Sequence, residues 1–213
     1  INMFGHDGHM GTQVPIGVGL GFSHKYRKEK KISRVYLGDG AMNNGQVFES
    51  FNLASLWELP VLFIIENNHY GMGTSNKRAA SGKDLFERAK VFGIEGKKID
   101  GMDFFTVSEA AIEARDYIND NSKPYVIEMD TYRYRGHSMS DPALYRSKEE
   151  VLQKKQKDPI VTMKSTLIDK YKILEKDLKE IESKVKLNIK EAENFSLTSP
   201  LPSLDELYKD VYL

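Results

Sequence analysis

The sequence has no cysteine and no excess of charge of either sign. Its 213 residues include 31 Lys and Arg and 31 Asp and Glu, which gives a formal net charge of zero. The lack of cysteine excludes disulfides, thiol nucleophiles and thiolate metal sites, although it fits any cellular compartment. The balanced charge gives no reason to expect a nucleic-acid partner. Long hydrophobic runs are also missing, so no membrane-spanning segment is expected.

The length of the chain is sufficient for one or two domains with a substantial core. Lys, Glu and Asp become dominant beyond Lys148, where apolar residues recur at helical spacing. We therefore predict one domain over residues 1–147 and a helical extension with a tail over residues 148–213. The sequence opens at Ile1 with neither an initiator methionine nor a secretory signal, which we interpret as an incomplete N-terminus.

The most informative stretch begins at a strand-like run, Val35-Tyr36-Leu37, and includes a second one, Phe63-Ile64-Ile65. Between them, Asn44 to Leu59 has apolar residues at helical spacing. Strand, helix and strand of these lengths predict a βαβ unit, whose right-handed crossover makes the strands parallel. Further strands are expected at 97–100 and 125–129, alternating with helices. The whole pattern predicts an α/β fold with a mostly parallel sheet flanked by helices.

Polar residues follow both strands of this βαβ unit. Because parallel strands end at the same edge of a sheet, Asp39 and Asn68 are expected in one crevice. A carboxylate and an amide oxygen are ligands suited to Mg²⁺ or Ca²⁺. Gly38 and Gly40 permit a tight turn, and the amides that follow lead into a helix N-terminus, which favours a phosphate. The sequence thus predicts a metal–diphosphate site. The alternative is two ordinary turns, since Asp-Gly and Asn-Asn are common turn dipeptides.

Two loops are expected to face ligands. The loop from Phe4 to Gly11 contains two histidines and an aspartate, which could form a metal site. A ligand-facing backbone loop is the preferred interpretation, because its glycines indicate a role for the main chain. The loop from Thr131 to Arg146 follows a strand, and its arginines and His137 suit an anionic ligand, with a charged surface loop as the alternative. The residues behind the metal interpretation of the first loop are His6, Asp7 and His9.

These motifs resemble the thiamine diphosphate signature, in which Gly-Asp-Gly is followed after a spacer by Asn-Asn. Here the two halves are Gly38-Asp39-Gly40 and Asn67-Asn68. With Met72-Gly73-Thr74-Ser75 and the segment from Tyr132 to Pro142, they make the chain similar to E1-component α subunits of thiamine diphosphate-dependent 2-oxo acid dehydrogenases. The last two segments resemble the pyruvate branch of that family. The resemblance implies a thiamine diphosphate-binding fold, with thiamine diphosphate and Mg²⁺ as cofactors.

The resemblance also assigns roles residue by residue. It implies that Mg²⁺ is coordinated by Asp39, the side-chain oxygen of Asn68 and the main-chain carbonyl of Tyr70. It places His137 near the diphosphate and the reaction centre, as a catalytic residue that handles protons. The residues expected to contact the cofactor through their backbone are Gly8 and Met10 at the aminopyrimidine ring, and Gly40 and Ala41 at the diphosphate.

The activity that the resemblance implies is oxidative decarboxylation of pyruvate, with transfer of the acetyl group to a lipoyl domain of the E2 acyltransferase. It further implies an α2β2 heterotetramer, whose β subunit supplies the glutamate that activates the cofactor, so that this chain alone is inactive. A Tyr-Arg pair for the diphosphate is expected before Phe4 and is absent from the sequence. The bacterial cytoplasm is the preferred location, with the mitochondrial matrix as the alternative.

Two other functions compete with this interpretation. One is the α subunit of a branched-chain 2-oxo acid or acetoin dehydrogenase, which would perform the same chemistry on a different substrate. The other is a non-catalytic α/β scaffold that retains the fold. The presence of Asp39, Asn68 and His137 speaks against the scaffold, because a retired site has no physical reason to hold these residues.

Overall fold

A computed structural model of the chain describes residues 3–5, 8–82 and 84–209. His6 and Asp7, which carried the metal interpretation of the first loop, lie outside the described residues. The chain divides into two compact units, residues Ile1–Met163 and Lys164–Leu213. This division does not test the domain boundary expected at residue 147, which stays a prediction.

Strands and helices alternate through the first unit. The strands are β1 Ser33–Gly38, β2 Val61–Asn67, β3 Tyr70–Gly71, β4 Thr74–Ser75, β5 Glu95–Asp100 and β6 Tyr125–Asp130. The α-helices among the residues that the structure describes are α1 Gln13–Tyr26, α2 Gly45–Leu56, α3 Asn76–Ala79, α4 Glu87–Lys90, α5 Phe104–Asn121, α6 Lys148–Lys155, α7 Pro159–Asp169 and α8 Glu175–Thr198. Two 3-10 helices cover Ala41–Asn43 and Leu204–Tyr208.

Four strands form one parallel sheet in the order β1-β2-β6-β5, while β3 and β4 make a short antiparallel hairpin. The last residue of β1, Gly38, pairs with Glu66 of β2. The last residue of β2, Asn67, pairs with Asp130, which also pairs with Asp100 at the end of β5. All four strands therefore end at one edge of the sheet. The predicted α/β fold with a mostly parallel sheet is confirmed.

Both faces of the sheet are covered, which explains why β2 is apolar through Val61–Ile65. On one face α1 and α2 pack against β1 and β2, where the rings of Phe51 and Phe63 meet edge to face with centroids 4.9 Å apart. A Cβ at Gly17 of α1 would lie 2.1 Å from Val35 Cγ2, so a glycine there lets the helix approach the sheet closely. On the other face, the small and branched side chains of α5 cover β2 and β6; these are Ala110, Ala114 and Ile118.

Capping residues set the ends of the helices beside the sheet. Asn44 accepts a hydrogen bond from the Gln46 amide at 3.2 Å and so begins α2 at Gly45. Asp103 accepts from the Thr106 amide at 2.7 Å and so begins α5 at Phe104. The turn after β1 is thereby followed directly by a capped helix.

In the second unit, α8 is an amphipathic helix. Ile181, Val185 and Ile189 recur along it, and each side chain is more than half exposed. None of the helices in the described part of the chain is long and apolar enough to cross a membrane.

Candidate functional site

Asp39 lies directly after β1 and is almost completely buried, with 2% of the residue exposed. Its Oδ2 atom is buried and has no hydrogen-bond partner among the described residues. Burial raises the pKa of the Asp39 carboxyl, while hydrogen bonds from its own amide and the Gly40 amide and the electrostatic effect of the nearby His69 and Arg133 lower it. A buried carboxylate with an unpaired oxygen is strongly disfavoured unless a cation satisfies it.

The turn after Asp39 approaches the segment after β2. A Cβ at Gly40 would lie 3.4 Å from the Cα atom of Gly71, which is the last residue of β3. This close approach brings the main chain beside Tyr70 to the turn that carries Asp39. The 3-10 helix Ala41–Asn43 then begins at Gly40, so its first amides face the start of the turn. The structure thus brings together the ends of β1 and β2, as the sequence predicted.

The segment after β2 presents two oxygen atoms that were predicted as metal ligands. Asn68 Oδ1 accepts a hydrogen bond from the Tyr70 amide at 3.2 Å, which closes a tight turn around His69. His69 has a φ of 69°, the left-handed conformation that such a turn requires. The carbonyl of Tyr70 accepts a long hydrogen bond from Arg133 Nη1 at 3.5 Å. Each oxygen has a second lone pair and so retains the capacity to bind a cation.

His69 and Asp130 form a contact that the sequence interpretation missed. His69 Nε2 and Asp130 Oδ1 are 2.6 Å apart, and both side chains are about a third exposed. The hydrogen bond from His69 is the main cause that lowers the pKa of Asp130. The sequence did contain a signal for this contact: Asp130 directly follows the strand predicted at 125–129, and neighbouring parallel strands end at the same edge of the sheet.

His137 is exposed, and its loop is held through its backbone. The His137 amide donates to Asp141 Oδ2 at 2.7 Å, and the Tyr145 hydroxyl donates to the same atom at 2.8 Å. A Cβ at Gly136 would lie 2.3 Å from the Asp141 carbonyl, so only glycine fits there without a shift of the main chain. Arg133 connects the loop to the hairpin after β2, donating to the Met72 carbonyl at 2.7 Å.

Arg146 fixes the other end of this loop. It is 9% exposed and donates to the carbonyls of Arg133 and Arg135, the latter at 2.7 Å. Its guanidinium carbon also lies over three tyrosine rings, at 5.7, 5.3 and 5.2 Å from the centroids of Tyr70, Tyr132 and Tyr145 respectively. The loop is therefore built around one buried cation, a role that residue spacing alone did not indicate.

The backbone loop near the start of the described chain is exposed. Both Gly8 and Met10 are exposed, Met10 with 65% of its surface in contact with solvent. The Met10 carbonyl accepts from Asn44 Nδ2 at 3.2 Å, which links this loop to the cap of α2 and so to the turn after Asp39. Gly11 has a φ of 98°, which a side chain would strain.

The described residues fit a divalent cation held next to a diphosphate. The described residues contain no cluster of three or more histidine, cysteine, aspartate or glutamate side chains placed to bind a metal ion. A cation at Asp39 would therefore depend on amide and carbonyl oxygens of Asn68 and Tyr70 and on ligand oxygens, which is the donor set that Mg²⁺ accepts. Amides at the start of a helical turn, beside Gly40, suit phosphate oxygens.

Comparisons with known proteins show the family to which the chain belongs. A family model described as "Dehydrogenase E1 component" matches residues 1–204. A protein of Rickettsia felis named "Pyruvate dehydrogenase E1 component subunit alpha" is 53% identical over 209 residues, covering 98% of this chain and 64% of its own length. A protein of that name from Rhizobium meliloti is 46% identical over 213 residues, covering 100% of this chain and 61% of its own.

A mitochondrial relative extends the comparison to a eukaryote. The Dictyostelium discoideum protein named "Pyruvate dehydrogenase E1 component subunit alpha, mitochondrial" is 45% identical over 214 residues, covering 100% of this chain and 56% of its own length. The chain thus spans less than two thirds of the length of the relatives it matches.

Proposed function

The chain belongs to the dehydrogenase E1 component family, and on that premise we propose that it is the α subunit of a pyruvate dehydrogenase E1 component. In this role it takes part in the thiamine diphosphate- and Mg²⁺-dependent oxidative decarboxylation of pyruvate. The acetyl group then passes to a lipoyl domain of the E2 acyltransferase. The names of the relatives support the choice of pyruvate.

The observation that carries the cofactor proposal is the buried, unpaired Oδ2 atom of Asp39. In a metal-free protein, the Oδ2 atom of this carboxylate is desolvated without a hydrogen-bond donor, which costs free energy. A divalent cation supplies the missing positive charge at the point where the ends of β1 and β2 meet. The site is therefore built for a cation at some cost to the stability of the metal-free protein.

Each residue of the site has a role in this proposal. Asp39, the side chain of Asn68 and the carbonyl of Tyr70 hold Mg²⁺. Gly40 and Ala41 present their amides to the diphosphate, and Gly8 and Met10 meet the aminopyrimidine ring through their backbone. His137 lies on an exposed loop at the same edge of the sheet, where it holds or moves a proton near the reacting atoms. Thiamine diphosphate supplies the carbanion chemistry when it is bound.

The proposed partners follow from the same role. A β subunit completes an α2β2 heterotetramer and provides the glutamate that activates the aminopyrimidine, and the lipoyl domain of E2 accepts the acetyl group. We place the protein in the bacterial cytoplasm, with the mitochondrial matrix as the alternative; bacterial relatives and a mitochondrial one fit these two locations.

Substrate turnover tests this function. The full-length protein, co-expressed with its β subunit, is assayed with pyruvate, branched-chain 2-oxo acids and acetoin, each with thiamine diphosphate and Mg²⁺. We expect kcat/KM to be highest for pyruvate. A higher value for a branched-chain acid or acetoin would replace the substrate assignment. Absence of turnover and of cofactor binding in the assembled enzyme would favour the non-catalytic scaffold.

A further inference from the structure

Glu128 is a completely buried carboxylate on a central strand of the sheet. It lies within β6, follows Val126 and Ile127, and is 0% exposed. A carboxylate so completely removed from water is tolerated only when its oxygens accept hydrogen bonds or face a cation. The position of its partners therefore indicates what the residue does.

The partners of Glu128 come from three separate segments. Its Oε1 atom accepts from Asn67 Nδ2 at 2.7 Å, and its Oε2 atom accepts from the Phe86 amide at 3.0 Å. Lys98 Nζ lies 3.6 Å from Oε1. Both oxygens are thus satisfied, and one of them holds the last residue of β2.

Asn67 connects Glu128 to the segment after β2 through its side-chain amide. The residue is 4% exposed, and its Oδ1 atom accepts from the His69 amide at 3.0 Å and from Asn76 Nδ2 at 2.7 Å. The Asn76 amide in turn donates to the His69 carbonyl at 2.9 Å. One buried amide side chain therefore ties together the start and the end of the segment 68–76.

The carboxylate of Glu128 determines the orientation of the Asn67 side-chain amide. An ionised carboxylate can only accept hydrogen bonds, so the NH₂ group of Asn67 must face Glu128. Its oxygen is then turned toward the His69 amide, which can only donate. Removing the acceptor character of Glu128 would remove the reason for this orientation.

We propose that Glu128 is a positioning residue for the metal site, acting through Asn67 on the segment 68–76. This inference rests on the proposed function, in which Asn68 and Tyr70 of that segment hold Mg²⁺. Glu128 touches neither the metal nor the cofactor; it holds the ligand-bearing turn in place before they bind. Partners of this kind contribute about 10–100-fold to metal affinity.

Exchanging the acid and the amide between positions 128 and 67 tests whether Glu128 positions the segment 68–76 or only fills space in the core. Glu128→Gln places an NH₂ group against either Asn67 Nδ2 or the Phe86 amide, so one donor faces another. Asn67→Asp places two carboxylates together. In the double variant, the amide of Gln at 128 donates to Asp at 67 and its oxygen accepts from Phe86, while the other Asp oxygen accepts from His69. The hydrogen bonds among residues 67, 69, 86 and 128 are all restored, and the negative charge has moved from position 128 to position 67.

The experiment uses the full-length protein assembled with its β subunit. Calorimetry measures the Mg²⁺ dissociation constant in the presence of thiamine diphosphate, and amide hydrogen exchange measures protection of residues 68–76 in the metal-free assembly. We expect each single variant to weaken Mg²⁺ binding by about 10–100-fold and to speed exchange in this segment. The double variant should recover most of both losses. Glu95→Gln, an exposed carboxylate at the opposite edge of the sheet, is the matched control and should match the wild type.

The outcomes distinguish this inference from the proposed function. Wild-type Mg²⁺ affinity and unchanged exchange in Glu128→Gln would overturn the inference, as would a double variant that is folded but no better than the single ones. Should Glu128→Gln fail to assemble, the comparison of Asn67→Asp with the double variant decides the question in the same way. If the wild type itself binds no thiamine diphosphate, the proposed function fails, while hydrogen exchange still tests whether Glu128 holds the segment.

Discussion

The two segments that meet at the candidate site are held in opposite ways. The segment after β2 is anchored from inside the sheet, through the buried pair of Asn67 and Glu128. In the loop 131–146, by contrast, the link to His137 passes through Asp141, a carboxylate that is only partly buried. The buried side chains that anchor other parts of this loop are Arg146 and Tyr132, whose hydroxyl donates to Glu150 at 2.8 Å.

This difference teaches which parts of the site are rigid before a ligand binds. Disturbing a hydrogen bond in a buried network costs more than disturbing one in water, because no solvent replaces it. The metal-binding turn should therefore keep its shape in the metal-free protein. The loop with His137 should have a lower local free energy of opening, so it should open before the metal-binding turn does when the protein is weakly destabilised.

The largest effect is expected from Arg146→Ala. The change removes hydrogen bonds from a charged group to two carbonyls, each worth about 1.5–3 kcal/mol, and the contacts with three tyrosine rings. We expect the loop 131–146 to lose about 2–4 kcal/mol of local stability, measured by amide hydrogen exchange. Residues 68–76 should keep their protection.

Arg135→Ala is the matched control for this experiment, because its side chain is exposed on the same loop. It should leave the exchange of both segments close to that of the wild type. If Arg146→Ala opened residues 68–76 as much as the loop, the two segments would form one cooperative unit and the contrast between them would be wrong.

Asp39→Asn is expected to stabilise the metal-free protein, by less than Arg146→Ala destabilises the loop 131–146. Burial raises the folded-state pKa of Asp39, so the folded protein binds a proton more tightly than the unfolded chain does. Stability therefore falls as the pH rises from below about 3.9, the ordinary pKa of aspartate, through the raised value. Asp39→Asn should remove this loss and be more stable than the wild type at neutral pH.

Denaturant unfolding of the metal-free wild type and Asp39→Asn, at acidic and neutral pH, measures this effect. The difference between the two proteins should grow with pH. Equal stability at both values would show that the Asp39 carboxyl is satisfied in the metal-free protein, and would remove the main support for a cation at this point.

The smallest effect is expected from His69→Asn. Asparagine tolerates the left-handed conformation of residue 69, so the change removes mainly the contact with Asp130. Both side chains are partly exposed, and such pairs contribute less than about 1 kcal/mol. The hydrogen bond from His69 lowers the pKa of Asp130, so this contribution is present above about pH 4 and is lost as the pH falls through the folded-state pKa.

An NMR titration of Asp130, together with denaturant unfolding, measures this contribution. The pKa of Asp130 should rise toward the ordinary aspartate value in His69→Asn. A loss of stability greater than about 2 kcal/mol would be too large for an exposed pair. It would make His69 part of the rigid framework after β2.

Much of the fold could be predicted because its signals are local. The apolar runs at 35–37 and 63–65 lie within β1 and β2, and the position of Asp39 at the sheet edge follows from the parallel topology. Helix ends are less clear from residue spacing, because single backbone conformations decide them: α1 ends at Tyr26, and Lys28 beyond it has a left-handed φ of 56°.

The supports of the candidate site could not be predicted because they join distant residues. Glu128 and Asn67 are 61 positions apart, and a single charged residue in a strand that is covered on both faces does not indicate which distant side chain it meets. The role of Arg146 had no signal in the sequence, since its partners are carbonyls of its own loop and tyrosine rings of that loop and of the β3-β4 hairpin. The roles of all the predicted metal- and cofactor-binding residues, and of His137 in catalysis, stay predictions.

The central claim is that Asp39 and the segment after β2 hold one cation that binds a diphosphate. Calorimetric titration of thiamine diphosphate into the full-length protein assembled with its β subunit tests it most directly, with and without Mg²⁺, for the wild type and Asp39→Ala. We predict saturable binding that requires Mg²⁺ in the wild type, and binding at least about 100-fold weaker in Asp39→Ala, since a direct ligand contributes more than an outer partner. Undiminished binding by Asp39→Ala, or wild-type binding that is independent of divalent cations, would contradict the claim.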